Sequence, residues 1–234
     1  MLRSLVGSEM CIRDSTKPNE NHIILDFFAG SCSSSDAVMQ QNLEDSGDRR
    51  YIAVQLPEPA GEKSRFNSIT ELGLTRIHKC IDSLPHDADV DKGFKLFKLS
   101  NSNISAWNPD RTDIEESLLA HEEHLIEDRT EQDVLYELLL KRGVDLAVPI
   151  ESREVAGKNI YSIGYGVLFA CLDESISKEQ VEDIAQGIVA WYGELAPSSD
   201  THVFFRDSAF RDDVSKTNMA AILEQNGITH VRSL

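Results

Sequence analysis

One stretch of the chain joins an apolar run, a glycine and a helix start in the order found at nucleotide sites. Residues 25–31 (LDFFAGS) leave the apolar run, pass through Gly30 and lead into helical spacing. A glycine at this point lets the backbone approach a ligand closely, and the first turn of the helix supplies unpaired N–H groups. The order therefore predicts a nucleotide site of the Rossmann type, although a plain strand-to-helix turn shares the same local pattern.

The apolar pattern on either side predicts the elements that would position this loop. We expect strands at 22–28 and 51–56, with a helix at 36–43 between them and a further helix at 68–83. A strand, a crossover helix and a second strand make a parallel pair with a right-handed connection. The first part of the chain thus predicts a parallel α/β unit.

Residues 85–91 (PHDADVD) have the composition of a linker, and a second, smaller α/β domain is expected after it. Its strands are predicted at 94–99, 145–149, 159–163, 166–172, 202–205 and 230–232. Its helices are predicted at 113–143 with a break near 128–130, at 178–192 and at 214–226. Thr130 and Asp133 have capping-box spacing, and Gly143 stands at the expected end of that helix. The predicted domains are 16–92 and 93–234.

The first fifteen residues (MLRSLVGSEMCIRDS) show neither the charge order of a signal peptide nor a period that continues into the fold. They are similar to translated adapter-like leaders. We therefore expect residues 1–15 to be a non-native leader outside the fold, with a short disordered N-terminus as the alternative.

Charge and composition limit the functions open to the chain. Its 234 residues carry 40 acidic and 23 basic side chains, and residues 96–234 alone carry 25 acidic and 12 basic ones. Such an acidic surface repels phosphate backbones, which argues against a nucleic-acid clamp in the second half. No apolar run reaches the roughly 18 residues of a membrane helix. The four cysteines form no Cys-x-x-Cys pair, so we expect no zinc site and a cytoplasmic protein.

The amino-acid sequence around the loop points to a protein family more specifically than the order of strand, glycine and helix does. Residues 19–31 (NENHIILDFFAGS) with 36–40 (DAVMQ) resemble the S-adenosyl-L-methionine motif of β-type amino-methyltransferases. Residues 49–58 (RRYIAVQLPE) and the tail segments 203–208 (VFFRDS) and 212–218 (DDVSKTN) resemble the modification subunit of type III restriction–modification systems. That subunit methylates adenine at N6, and the resemblance covers residues 16–234.

The resemblance implies a partial Rossmann-like methyltransferase domain followed by a smaller α/β C-terminal domain. It implies a cofactor site made by Asp26, Phe28, Ala29, Gly30, Ser31 and Gln55. The loop would wrap the methionine end of the cofactor, Gln55 would lie near the ribose, and Asp26 would accept from the ammonium group. Asp26 could instead cap the next helix, and Gln55 could be an ordinary strand end. The implied partners are DNA, a second copy of the chain and the restriction subunit.

The loop departs from the family pattern at one position. The family continues Gly-Ser-Gly-Thr-Thr, whereas this chain has Cys32 in place of the second glycine. A glycine there often holds a positive φ, which a cysteine adopts only with strain. We therefore expect a weakened or lost cofactor site.

A second departure concerns catalysis. Transfer to an adenine amino group needs a loop of the type Asp-Pro-Pro-Tyr, whose ring stacks on the flipped base. No two of the seven prolines are adjacent, and the segment most similar to such a loop is 108–110 (NPD). The chain is therefore expected to be a C-terminal fragment without catalytic residues and inactive alone. The alternatives are a non-enzymatic assembly module built on 96–234 and a generic nucleotide-binding Rossmann protein.

Two further polar groupings have simpler interpretations. His121 and His124 are one residue too close for a zincin motif and predict a solvated helix face. Asp207, Asp212 and Lys216 predict a helix cap, with a partner surface as the alternative. No metal site is expected.

Overall fold

A computed structural model describes residues 5–18, 20–62, 64–87, 90–104, 126 and 128–234. The chain divides into two compact units, Met1–Leu96 and Phe97–Leu234. Both units mix helices with strands, so the predicted α/β class is confirmed at that level. None of the helices in the described part of the chain has the length and apolar composition needed to cross a membrane.

The first unit contains the predicted β-loop-α-β arrangement. Strand β1 (Ile23–Asp26) is followed by helix α2 (Ser33–Asp45), strand β2 (Arg50–Ala53) and helix α3 (Ile69–Ser83). The two strands are parallel, as predicted, and Leu25 lies opposite Ile52. The second strand ends at Ala53, before the predicted end at 56, and the backbone of Val54 bonds both Asp26 at the end of β1 and Ala29 in the loop that follows.

A helix, α1, covers Leu5–Ser15 and packs on α2. Ile12 is buried against Ala37 and Val38, and the Arg13 guanidinium donates to the carboxylate of Glu44 at 2.6 Å. The expectation was that this stretch lies outside the fold. The contacts differ from it, because the apolar side chain of Ile12 packs against Ala37 and Val38 of α2. The origin of residues 1–15 as a leader stays a prediction.

The two faces of the β1–β2 sheet differ in burial. Ile24 and Tyr51 pack against the buried side chains of α2. On the other face the side chains of Ile23, Leu25 and Ile52 are each about half exposed, at 51%, 50% and 50%. Parallel sheets are normally covered on both faces, so this apolar face is unusual for a parallel pair.

The second unit is built on a five-stranded sheet in chain order. The strands are β3 (Ile150–Val155), β4 (Lys158–Ile163), β5 (Leu168–Cys171), β6 (His202–Phe205) and β7 (His230–Ser233). The first three strands pair antiparallel and the last three pair parallel. The described part of the unit also contains helices α4 (Glu131–Arg142), α5 (Gln180–Leu195) and α6 (Asp213–Gln225), with a short 3₁₀ turn at Asp207–Ala209.

The sheet of the second unit is a middle layer between helices. One face packs on α5 and α6 around Trp191 and Phe205, and the other packs on α4 around Leu139 and Phe204. The predicted cap of α4 is confirmed, because Thr130 and Asp133 exchange both capping-box bonds. Gly143 ends the helix at φ 68°, a left-handed conformation that suits glycine.

Two predicted strands are wrong. Residues 94–99 form no strand; Phe94 makes an edge contact with the ring of His78, and Phe97 makes one with Tyr136. Residues 145–149 form a turn, because the Asp145 carboxylate accepts from the N–H of Ala147 at 2.9 Å. The strand begins after Pro149 and runs through residues 150–155, which the sequence pattern did not predict.

Candidate functional site

The loop between β1 and α2 is fastened to the end of β2 by backbone bonds. The Val54 N–H donates to the carbonyl of Asp26 at 2.8 Å, and the Ala29 N–H donates back to the carbonyl of Val54 at 3.2 Å. Ala29 is buried in this position. The loop therefore follows directly from the carboxyl ends of two adjacent parallel strands, where α/β sheets place their ligands.

The carboxylate of Asp26 shapes the loop from within. One oxygen accepts from the Phe28 N–H at 3.1 Å, and the other accepts from the Ser34 hydroxyl at 2.6 Å. The N-cap position of α2 belongs to Cys32, which makes no side-chain cap bond. Asp26 thus touches the first turn through a hydroxyl and not through a helix N–H. Each carboxylate oxygen has two acceptor sites, so capacity for a further donor is left.

Gln55 contacts the glycine loop directly. Its side-chain oxygen accepts from the Gly30 N–H at 2.7 Å, and its side-chain nitrogen donates to the carbonyl of Leu56 at 3.0 Å. Gly30 has φ 52°, a left-handed conformation that glycine adopts without strain. The sequence singled out both residues but did not predict that they bond each other.

The ring of Phe28 projects from the loop and is 91% exposed. Ser31 is half-buried beside it. The structure therefore brings together all six predicted residues: Asp26, Phe28, Ala29, Gly30, Ser31 and Gln55. An exposed aromatic ring, a carboxylate and a carboxamide around a glycine turn can together contact an apolar group, a cation and a hydroxyl.

Cys32 has φ 55° and ψ 37°, so the predicted positive φ is confirmed. Its side chain is buried and lies over Gly73 of α3. Burial raises the pKa of the Cys32 thiol, the nearby Asp26 carboxylate raises it further, and Arg76 opposes the rise. The thiol is therefore a neutral packing group at the start of α2.

A polar group next to this thiol was missed by the sequence reasoning. Arg76 pairs with Asp36 at 3.5 Å, and the Gln40 amide donates to the sulfur of Cys80 at 3.4 Å. Burial is the main reason that the pKa values of Cys80 and Tyr51 rise to about 12. These residues come from α2, β2 and α3, so only the packed structure shows that they are neighbours.

The other polar groupings singled out from the sequence lie in the second unit or outside the described residues. Asp212 caps α6 by accepting from the N–H of Ser215 at 2.7 Å, which confirms the predicted cap, and Lys216 pairs with Asp207. No group of three or more His, Cys, Asp or Glu side chains in the described ranges is arranged to hold a metal. The motif candidates at 108–110 and at 121–124 lie outside the described residues.

Comparison with known proteins shows similarity to subunits of one enzyme class. Over 190 residues the chain is 27% identical to the Mod subunit of the Type III restriction-modification enzyme EcoP15I of Escherichia coli. Over 194 residues it is 26% identical to the EcoPI Mod subunit of Escherichia phage P1. Over 90 residues it is 30% identical to the StyLTI Mod subunit of Salmonella typhimurium.

The first two alignments cover 73% and 74% of this chain but only 28% and 29% of the relatives. The third covers 35% of the chain and 14% of the relative. The chain thus spans less than a third of the length of these curated relatives. No protein-family model matches it. A relationship to Mod subunits is supported by these similarities.

Proposed function

We propose that this chain is the C-terminal part of a type III modification subunit, a β-type DNA methyltransferase that transfers a methyl group from S-adenosyl-L-methionine to adenine N6. The observation that carries the proposal is the bond from the Gly30 N–H to the Gln55 side chain. It joins the glycine loop to the end of the neighbouring parallel strand, which is the arrangement that a Rossmann-like half-site requires. The similarity to Mod subunits over most of the chain supports the same assignment.

The residues of the loop fit S-adenosyl-L-methionine. Asp26 retains acceptor capacity for an ammonium group, and Gln55 offers a carboxamide to hydroxyls. When bound, the cofactor would supply the methyl group; these residues would hold and orient it. Cys32 occupies a left-handed position that glycine holds without strain. We expect this strain to weaken binding relative to a loop with glycine at that position.

The residues that hold adenine would come from polypeptide other than the described residues. We propose that the chain alone does not methylate DNA, that DNA is contacted mainly elsewhere in the enzyme, and that the complete enzyme is a homodimer bound to a restriction subunit in the cytoplasm. Incubating the purified chain with labelled S-adenosyl-L-methionine and adenine-containing duplex DNA tests the first point. Methyl transfer would show that it is wrong.

Calorimetric titration with S-adenosyl-L-methionine tests the cofactor site. We expect saturable binding, about tenfold or more weaker in Asp26→Asn, because a charge-assisted contact contributes about 1.5–3 kcal/mol. Asp48→Asn changes an exposed carboxylate of the same unit and should bind like the parent chain. Cys32→Gly should bind more tightly. Equal affinity in the Asp26 and Asp48 variants would reject the assigned residues, and tighter competition by NAD would favour a generic nucleotide site.

A non-enzymatic assembly module is the second candidate, because the unit Phe97–Leu234 has its own core on both faces of its sheet. In that case no cofactor binding is detected in the titration, while the chain still binds a type III restriction subunit. Cofactor binding by the parent chain and its loss in Asp26→Asn would exclude this candidate.

A further inference from the structure

Two histidines of the second unit are stacked on neighbouring strands. His202 begins β6, His230 begins β7, and the two are direct cross-strand partners. Their ring centroids are 4.6 Å apart and the ring planes differ by 19°. Each imidazole carries two ring nitrogens, and stacking brings the nitrogens of both rings to one patch of the surface.

Two arginines complete the same patch. The Arg142 guanidinium, from the last turn of α4, lies 3.4 Å from Nδ1 of His202 and 5.6 Å from the ring centroid of Phe204. Arg232 is the cross-strand partner of Phe204 and points to the same sheet face, since alternate residues of a strand share a face. The His–Arg cluster consists of Arg142, His202, His230 and Arg232.

The positive charge of the His–Arg cluster is opposite in sign to the net charge of residues 96–234. Residues 96–234 carry more than twice as many acidic as basic side chains. Among the described residues, however, no carboxylate forms an ion pair with Arg142 or Arg232. Asp200 approaches His230 at 3.9 Å, but its side chain is 88% exposed. Within the described residues, Arg142 and Arg232 thus have no carboxylate in ion-pair contact, and Asp200 approaches the histidine pair instead.

We propose that the His–Arg cluster is a binding site for a single phosphate group. A guanidinium presents a planar fork of donors that matches phosphate oxygens, and imidazole nitrogens add donors when protonated. A phosphate monoester carries about −1.5 to −2 charges near pH 7, which balances two arginines better than one carboxylate does. The net negative charge of residues 96–234 disfavours a long polyanion, so the site suits a phosphate on a small molecule or at a chain end.

The site should respond to pH in a defined direction. Burial lowers the pKa of His202, and the positive charges of Arg142, His230 and Arg232 lower it further, while Asp200 opposes them. A bound phosphate reverses the effect of those charges and raises the pKa of His202. By linkage, phosphate affinity increases as the pH falls through the histidine range.

The experiment follows histidine ring protons by NMR while inorganic phosphate replaces chloride at constant ionic strength. We expect saturable shifts for His202 and His230 and none for His22, His78 or His86. Arg142→Gln and Arg232→Gln should each weaken phosphate binding about tenfold, the effect expected for loss of one charge-assisted pair. Arg211→Gln removes an exposed arginine of the same unit outside the cluster and should leave the affinity unchanged.

Two comparisons identify the source of the phosphate. Shifts by a nucleoside monophosphate, with none by a duplex lacking terminal phosphates, support a site for one phosphate on a small molecule or chain end. Shifts by that duplex would instead indicate binding of backbone phosphates and would contradict the single-phosphate site. The proposal is overturned if a separate titration with chloride alone produces the same shifts. It is also overturned if both arginine variants bind phosphate as Arg211→Gln does, or if a glutamate-rich peptide binds at this site and phosphate does not. Because the proposal rests on the second unit alone, its outcome is independent of the cofactor titration.

Discussion

The sulfur of Cys32 lies in the space that a side chain on Gly73 would occupy: a β-carbon at position 73 would come within 2.7 Å of it. Gly73 lies within α3, where glycine is less favourable than alanine by about 1 kcal/mol. The same β-carbon would also come within 3.2 Å of the Gly30 carbonyl oxygen. Gly73 of α3 and Cys32, which follows the glycine loop, are therefore structurally matched.

This match predicts that the effect of Gly73→Ala depends on residue 32. In the parent chain the substitution should lower the free energy of unfolding by about 1 kcal/mol, because an overpacking cost of about 1–3 kcal/mol exceeds the gain in helix propensity. In Cys32→Gly the clash with sulfur is gone and only the 3.2 Å approach to the Gly30 carbonyl oxygen remains, so the same substitution should be less destabilising by about 1 kcal/mol.

Urea unfolding of the four proteins, followed by circular dichroism, measures the coupling between the two positions. A coupling of about 1 kcal/mol or more is expected for side chains in contact. Effects that simply add would show that sulfur and helix do not compete for the same space.

A separate prediction concerns thiol reactivity. Cys11 is exposed, while Cys32, Cys80 and Cys171 are buried. Burial raises the pKa of all three buried thiols, to about 12 for Cys80 and about 11 for Cys171. Because the thiolate is the reactive form, iodoacetamide near pH 7.5 should modify only Cys11 rapidly in the folded protein and all four cysteines in urea.

Peptide mass spectrometry over a time course follows each site separately. Cys11→Ser should abolish the rapid phase and leave the slow ones unchanged. Rapid modification of Cys32 in the folded protein would contradict its burial against α3.

The elements around the candidate site were predictable because their signals are local. The apolar run before Asp26, the helix-compatible residues of α2 and the run before Gln55 each mark an element without knowledge of the rest of the chain. The bond between Gly30 and Gln55 was not predictable, since it depends on the register of β1 and β2. The packing of Cys32 on Gly73 likewise depends on where α3 docks.

The errors in the second unit have a similar origin. Strand β3 (IESREV) was missed because it is an edge strand whose charged side chains are exposed and which therefore lacks apolar alternation. The alternation at 94–99 was mistaken for a strand, although the aromatic side chains Phe94 and Phe97 contact rings on helices. The stacking of His202 on His230 follows from strand register, which composition does not contain.

The exposed face of the β1–β2 sheet predicts binding of an apolar dye. Leu25 and Ile52 lie opposite each other on it, and both are about half exposed. A contiguous apolar patch binds anilinonaphthalene sulfonate, whereas single apolar side chains do so weakly. The double substitution Leu25→Thr and Ile52→Thr should reduce dye fluorescence at least about twofold and change the free energy of unfolding by no more than about 0.5 kcal/mol.

Leu140→Thr is the matched control, because Leu140 is a similarly exposed leucine on α4. It should leave the dye signal nearly unchanged. If the control and the double variant reduce fluorescence equally, the dye does not report the sheet face.

Glu137 of α4 should make the second unit sensitive to acid. Its carboxylate accepts from the Ser102 hydroxyl at 2.5 Å and the Asn103 N–H at 2.6 Å, and it pairs with Lys141 at 2.8 Å. Burial opposes its ionisation, but these donors outweigh burial and lower its pKa to about 2. A pKa that is depressed in the folded state stabilises the protein above the unfolded-state value, near 4.5, and the stabilisation is lost as the pH falls toward about 2.

Glu137→Gln should therefore lower the free energy of unfolding by about 2 kcal/mol at pH 7, since two donors lose a charged acceptor and Lys141 loses its partner. The difference from the parent chain should shrink as the pH falls from about 4.5 to about 2, because the parent carboxylate then takes up a proton. Urea unfolding followed by tryptophan fluorescence measures both quantities in the unit that contains Glu137, because both tryptophans, Trp107 and Trp191, belong to Phe97–Leu234. Glu224→Gln removes an exposed carboxylate at the end of α6 and should produce neither effect. A Glu137 difference that stays constant across this pH range would mean that packing, and not the charge, holds residues 102–103 against α4.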